Sequence, residues 1–202
     1  MMTVYTAPDT RAIRVIWLLE EIGVKAEIKS MPYPPRRHTP DYVALNPSGL
    51  VPLLIDGEVR LSESMAICDY LAGKHGSPLI VPTDDPERAA YLQWLWYGES
   101  TLMTPLSRLN VVSQVERKGP EVEAILAGAR DQAAQRLEVL EARLEGRDFL
   151  VAGRLTLADI SVSYPLHLVS LLDLDHLLGT RSAAYRERLR MRPAYQRAIA
   201  VA

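Results

Sequence analysis

The stretch VPLLIDGEVRLSESMAICDYL, Val51–Leu71, divides into a hairpin and a helix. Val51–Ile55 is a short apolar run, Asp56-Gly57 is the dipeptide of a tight turn, and Glu58–Leu61 is a second short run, so two antiparallel strands are predicted. A helix follows, because Met65, Ile67, Cys68 and Leu71 make an apolar face at helical spacing. Ser64 stands just before that face as the expected N-cap, with the Glu63 carboxylate beside it. Pro52 heads the first strand; it donates no ladder hydrogen bond and is a candidate for a cis peptide, leaving the backbone of Val51 as a free edge for an extended peptide. The amides and dipole end at Ser64 favour a carboxylate ligand. Taken alone, a serine in that position is ordinarily only a cap.

The pattern Asn46-Pro47-x-Gly49-x-Val51-Pro52, followed by Leu61-x-Glu63-Ser64-x-Ala66-Ile67-x-x-Tyr70-Leu71, resembles the glutathione-binding core of the cytosolic glutathione S-transferases. The resemblance implies that the residue before the cis-proline, Val51, pairs with the cysteinyl backbone of glutathione. It also implies that Glu63 and Ser64 hold the γ-glutamyl end. Glutathione would then be the co-substrate.

Composition sets limits. The chain has 202 residues, 48% hydrophobic, enough to bury one large core or two smaller ones. A net charge of -2 gives no long-range pull toward nucleic acid or membrane. No basic tract, secretory leader or membrane-length apolar run is read, so a cytoplasmic protein with no nucleic-acid or membrane partner is expected. The single cysteine, Cys68, excludes an internal disulfide, a four-thiolate zinc site and a Cys-x-x-Cys redox motif. It falls on the apolar face of its helix and reads as a small buried hydrophobe. His38, His75, His167 and His176 are scattered, and neither a Gly-rich phosphate loop nor a dinucleotide fingerprint is present, so no metal or nucleotide cofactor is expected.

Thr3–Thr6 reads as a strand and Arg11–Ile22 as a helix carrying Ile13, Ile16, Trp17 and Leu19, stopped by Gly23. Lys25–Met31 alternates as a half-buried strand. This β-α-β followed by a hairpin and helix is a thioredoxin-like layout, with the full topology implied by the resemblance. The turn Ala7-Pro8-Asp9-Thr10 lies where the family places the group that contacts the glutathione sulfur, which makes Thr10 the catalytic candidate. A threonine hydroxyl can donate to a thiolate, and helix amides add positive potential. Asp9 or Thr10 as a plain helix cap is the competing reading. Arg11 and Arg14 could strengthen the same field, although Arg14 is expected on a solvated helix face. Pro32–Pro40 reads as a stiff basic loop, neither helix nor central strand. From the resemblance, His38 or Arg37 there approaches the glycine carboxylate of glutathione; a plain solvent loop is the alternative.

Gly76–Asp85 reads as a linker between domains. Beyond it no strand is evident. Pro86 suits a first helical position, and Leu92, Trp94, Leu95, Trp96 and Tyr97 follow on more than one face, so that helix is expected to be buried on two sides: against its own core, and against a dimer partner or a hydrophobic substrate. Pro120–Leu144 is a cleaner helix. Thr156 and Asp159, flanked by Leu155 and Ile160, form a capping box with a staple; the motif resembles the N-capping box of the transferases' C-terminal domain, and Arg192-Pro193-Ala194-Tyr195 resembles the start of their last helix. The helix after Thr156 is apolar nearly all round and is expected to be central.

The expected organisation is thus an α/β thioredoxin-like glutathione-binding domain (1–76), a linker (77–85) and an all-α C-terminal domain (86–202) with a hydrophobic substrate pocket. The expected activity is conjugation of the glutathione thiolate to a small apolar electrophile, in a homodimer. Glutathione-dependent reduction of peroxides or disulfides, and a non-catalytic transferase-like binding protein, are the alternatives.

Overall fold

The computed structural model describes residues 2–114, 116 and 119–201; Met1 and Ala202, the outer ends of the expected domain ranges, lie outside the described residues. The chain divides into two compact units, Met1–Ile80 with Arg190–Ala202, and Val81–Leu189.

In the first unit, β1 (Met2–Thr6) lies parallel to β2 (Glu27–Ser30), with α1 (Ala12–Ile22) between them in sequence. Gly23 ends α1 at φ 68°, a left-handed turn that glycine enters without a Cβ penalty. Two short helices follow, α2 (Pro35–His38) and α3 (Pro40–Leu45). The expected stiff loop is therefore corrected to two helical segments. Proline is costly in a helix interior but suits its first position, where no intrahelical N–H is needed, and Pro35 and Pro40 both open helices in this way. β3 (Leu53–Asp56) and β4 (Val59–Ser62) pair antiparallel about the two residues Gly57 and Glu58, with Gly57 at φ 62°. The hairpin thus turns one residue later than Asp56-Gly57. α4 (Ser64–Lys74) completes the N-terminal segment, and the strand order is β2-β1-β3-β4.

Alternation in β1 explains both faces of the sheet. Val4 and Thr6 are buried on the side of α1 and α4, while Tyr5 joins Tyr42 of α3, their rings 5.4 Å apart, in a cluster with Met31, Leu53, Leu45 and Val51. α1 is buried from Ala12 through Leu19.

The last helix, α10 (Pro193–Val201), also belongs to this unit. Tyr195 meets Trp17 of α1 edge-on at 5.0 Å, and Arg192 makes a two-pronged contact with Glu21 at 2.6 and 2.8 Å. Burial pushes the Glu21 carboxyl up, but hydrogen bonds from Arg192 and the Trp17 indole, with the charges of Arg192 and Arg197, bring it below its ordinary value of 4.5. A carboxyl lowered in the folded state adds stability above its unfolded value, and that stability is lost as pH falls through the lower folded value. The stability gap between wild type and Glu21→Gln is therefore expected to hold from about pH 7 to about pH 5 and to shrink toward about pH 3. Urea melts at each pH measure it; a gap that ignores pH would show the pair to be without effect.

The second unit holds α5 (Arg88–Trp96), a π-helical turn (Tyr97–Thr101), α6 (Met103–Ser113), α7 (Pro120–Arg143), α8 (Leu157–Leu171), a short 3-10 turn (Asp175–Leu177) and α9 (Thr180–Arg190). α5 begins at Arg88, not at Pro86, which lies in the preceding turn. Its inner face is Tyr91, Trp94 and Leu95; Leu92 and Trp96 are 39% and 58% exposed, so burial on two sides is not met within the chain. α7 buries Leu126, Ala129, Ala133, Leu137 and Leu140 as one stripe. α8 is buried on nearly every side, as expected, and is entered by the Thr156–Asp159 capping box. Gly98 makes room for it: a Cβ there would stand 2.7 Å from the Ser161 carbonyl carbon and 2.8 Å from the Val162 nitrogen. Among the described residues, no helix is long and apolar enough to cross a membrane.

Candidate functional site

The sheet register brings the candidate residues to one end of the first unit. Leu53 pairs with Ser62, and Tyr5 with Leu53. Ala7 follows β1, Ser64 follows the end of β4 by two residues, and Val51 precedes the start of β3 by two. The turn Ala7–Thr10, the Val51–Pro52 step and the start of α4 therefore leave the sheet from the same end.

The Val51–Pro52 peptide is cis. Leu53 is the first laddered residue of β3, so the N–H and C=O of Val51 stand outside the sheet pairing. The loop before it is tied from beneath. Asn46, buried, donates to the Leu50 carbonyl at 2.8 Å and accepts from the Ser48 hydroxyl at 2.9 Å, and Tyr42 donates to the same Leu50 carbonyl at 2.6 Å. Arg36 donates to the carbonyls of Pro47 and Ser48 at 2.6 and 2.9 Å. Gly49, at φ 67°, lies under that guanidinium; a Cβ would approach Arg36 Nε to 2.9 Å. Its αL backbone and this close approach both require glycine.

Glu63 is exposed and holds φ 70°, ψ 109°, a conformation that costs a non-glycine residue about 1–3 kcal/mol. It occupies the N-cap position, and Ser64 is the first helical residue, so the expected serine cap is shifted by one. Ser64 is buried, 3% exposed, and its hydroxyl accepts from Arg14 Nη1 at 3.1 Å. Arg14 itself has no exposed surface, which overturns its expected place on a solvated face. Sequence alone could not see this, because Arg14 stands three residues after Arg11 and seven before Glu21, a spacing that reads as one polar helix face, whereas packing buries α1 from Ala12 through Leu19. The N–H groups in the first turn of α4 have no intrahelical acceptors and carry the positive end of the helix dipole.

Thr10 is 7% exposed. Its hydroxyl donates to the Ala7 carbonyl at 2.8 Å and accepts from the Ala12 amide at 3.4 Å, closing the turn into α1. Thr6 also donates to the Ala7 carbonyl, at 3.4 Å. His38 is exposed on α2 and makes no hydrogen bond with the other candidates among the described residues. Cys68 is fully buried one turn beyond Ser64, and burial pushes its thiol up to about 12 in spite of the nearby Arg14 charge, so it is inert as a nucleophile.

Residues 1–73 match the family model of the glutathione S-transferase N-terminal domain, and residues 123–196 that of the C-terminal domain. A probable glutathione S-transferase of Oryza sativa subsp. japonica is 33% identical over 153 residues, 73% of this chain and 71% of the relative. The chain belongs to the glutathione S-transferase family. A second family relative, a glutathione S-transferase of Arabidopsis thaliana, is 28% identical over 204 residues, 97% of this chain and 95% of its own. The crystal structure of a glutathione transferase from Burkholderia graminis, with two glutathione molecules bound per subunit, superposes with a TM-score of 0.83 at 25% identity and covers 98% of this chain and 87% of that one. The thioredoxin-like unit followed by helices is thus the transferase architecture. Of the supporting residues, Asn46 and Gly49 fall within the sequence motif with no role assigned to them there, whereas Arg36, Tyr42 and the burial of Arg14 lie outside what the motif displays.

Proposed function

We propose that this transferase-family protein binds glutathione along one end of its four-stranded sheet and conjugates the glutathione thiolate to small apolar electrophiles. The observation that carries the reading is the sheet register, which brings the unladdered Val51 backbone, beside a cis-proline, to the same end of the sheet as Glu63 and Ser64 at the N-terminus of α4. A γ-glutamyl-cysteinyl peptide has the matching parts: an extended amide for Val51 and a carboxylate for the Ser64 hydroxyl and the helix amides. His38, on the basic helix α2, serves the glycine carboxylate. The helical domain, 86–202, holds the electrophile, and the exposed Leu92 and Trp96 of α5 meet a second copy of the chain.

Thr10 is the group we assign to the sulfur. A free thiol of pKa about 8.5 is only ~3% thiolate at pH 7, and lowering it by about two units gives ~75%. A hydroxyl has one proton, and in the ligand-free geometry Thr10 gives it to Ala7. Donation to sulfur requires its release, and the Thr6 hydroxyl is in place to keep the buried Ala7 carbonyl satisfied. This exchange reduces the net gain, so Thr10→Val is expected to raise the bound thiol's pKa by about one unit and, at about pH 7, to lower kcat with a generic aromatic electrophile about threefold through the smaller thiolate fraction, with KM for glutathione little changed. Steady-state kinetics across an electrophile panel tests it. Unchanged kcat in Thr10→Val would remove Thr10 from the chemistry, and no turnover of any electrophile by the wild type would leave a binding protein.

A second reading, glutathione-dependent reduction of peroxides or disulfides, is favoured by the Burkholderia relative that carries two glutathione molecules per subunit. Here the chain has no cysteine near Thr10 to form its own mixed disulfide, so two glutathione molecules would have to meet in one site. A peroxide and mixed-disulfide arm in the same panel separates the two reactions.

A further inference from the structure

Arg14 sits among Ile13, Val15 and Leu18, all buried, and donates from Nη1 to Ser64 Oγ at 3.1 Å. Placing a guanidinium there is costly unless it is compensated, and Arg14 has further interactions besides the bond to Ser64. A guanidinium has donors and no acceptor, whereas a hydroxyl has one proton and two lone pairs. The bond therefore occupies a lone pair of Ser64 and cannot take its proton. Among the described residues that proton meets no acceptor. Without Arg14 the hydroxyl would be free to turn it to a neighbouring carbonyl, as serines at helix ends commonly do.

We infer that Arg14 is a positioning residue for ligand binding: it holds the Ser64 hydroxyl as a hydrogen-bond donor to the γ-glutamyl carboxylate and sets a buried positive charge behind the α4 N-terminus. The inference rests on the proposed glutathione reading of Ser64. Arg14 does not touch the ligand; it acts through Ser64, and its contribution is confined to one carboxylate.

That confinement separates positioning from mere structure. Calorimetric titration with glutathione is compared with 4-aminobutyryl-cysteinylglycine, which is glutathione without the γ-glutamyl α-carboxylate. Arg14→Met is expected to weaken glutathione about tenfold and the truncated peptide less than about twofold. Arg14→Lys, which keeps a charged donor, is expected to recover part of the loss, and it carries the same comparison with Arg14→Gln should Arg14→Met not fold. In a Ser64→Ala background the further change Arg14→Met should no longer alter the discrimination between the peptides. Equal weakening of both peptides, or undiminished discrimination in the Arg14 variants, would overturn the positioning role alone. A wild type that binds both peptides equally would overturn the reading of Ser64 on which it rests.

Discussion

Asp159→Ala is expected to destabilise the helical unit by about 3–5 kcal/mol, well beyond the loss of an ordinary helix cap. Asp159 has no exposed surface, and four donors converge on its carboxylate. Oδ2 accepts from the Thr156 amide at 2.8 Å and the Thr156 hydroxyl at 3.0 Å. Oδ1 accepts from the Leu150 amide at 3.0 Å and the Tyr185 hydroxyl at 2.8 Å. Burial pushes the carboxyl up, and these four hydrogen bonds oppose that shift. Truncation strands all four donors in the interior, at about 1–3 kcal/mol each before relaxation, which limits the sum. It also unties three segments at once: the Leu150 loop, the α8 entry and α9. Asp159→Asn, which keeps one acceptor, should lose less. Urea melts followed by far-UV circular dichroism measure the loss. A loss under about 1 kcal/mol would mean that the box only trims a helix end, as an exposed cap does.

Ser64→Ala carries the largest expected effect on ligand binding. A hydrogen bond to a charged group is worth about 1.5–3 kcal/mol, so glutathione should bind about 10- to 150-fold more weakly. Stability also falls, by about 1 kcal/mol, because Arg14 loses an acceptor in the interior. Titration is therefore done well below the melting temperature of the variant. An unchanged dissociation constant would take Ser64 out of the site.

The difference between these two expectations reflects what a sequence can display. Thr156 and Asp159 stand three residues apart, and local spacing announces a capping box. It would support only a cap's ~0.5–2 kcal/mol, because Leu150 and Tyr185 reach Asp159 from 9 residues before it and 26 after it, and no local pattern links them. The hairpin and α4 were legible for the same local reasons, with errors of one residue at the turn and the helix start, where Glu63 adopts a positive φ that no propensity favours. Pro35 and Pro40 were legible as breaks but not as openings, since proline stops one helix and starts the next with the same fixed φ. Arg14 was misplaced because its environment is set by tertiary packing of α1 against α4 and α10. Leu92 and Trp96 show the converse: an apolar surface predicted to be covered is open in the single chain.

A transferase mechanism at this site requires that the glutathione sulfur be ionised in the complex. Thiolate absorbance of the wild type saturated with glutathione, titrated between about pH 4 and about pH 9, reports it. An apparent thiol pKa about two units below that of free glutathione, near 6.5, is predicted. A bound thiol that ionises where the free thiol does would contradict a transferase mechanism at this site, even if glutathione binds.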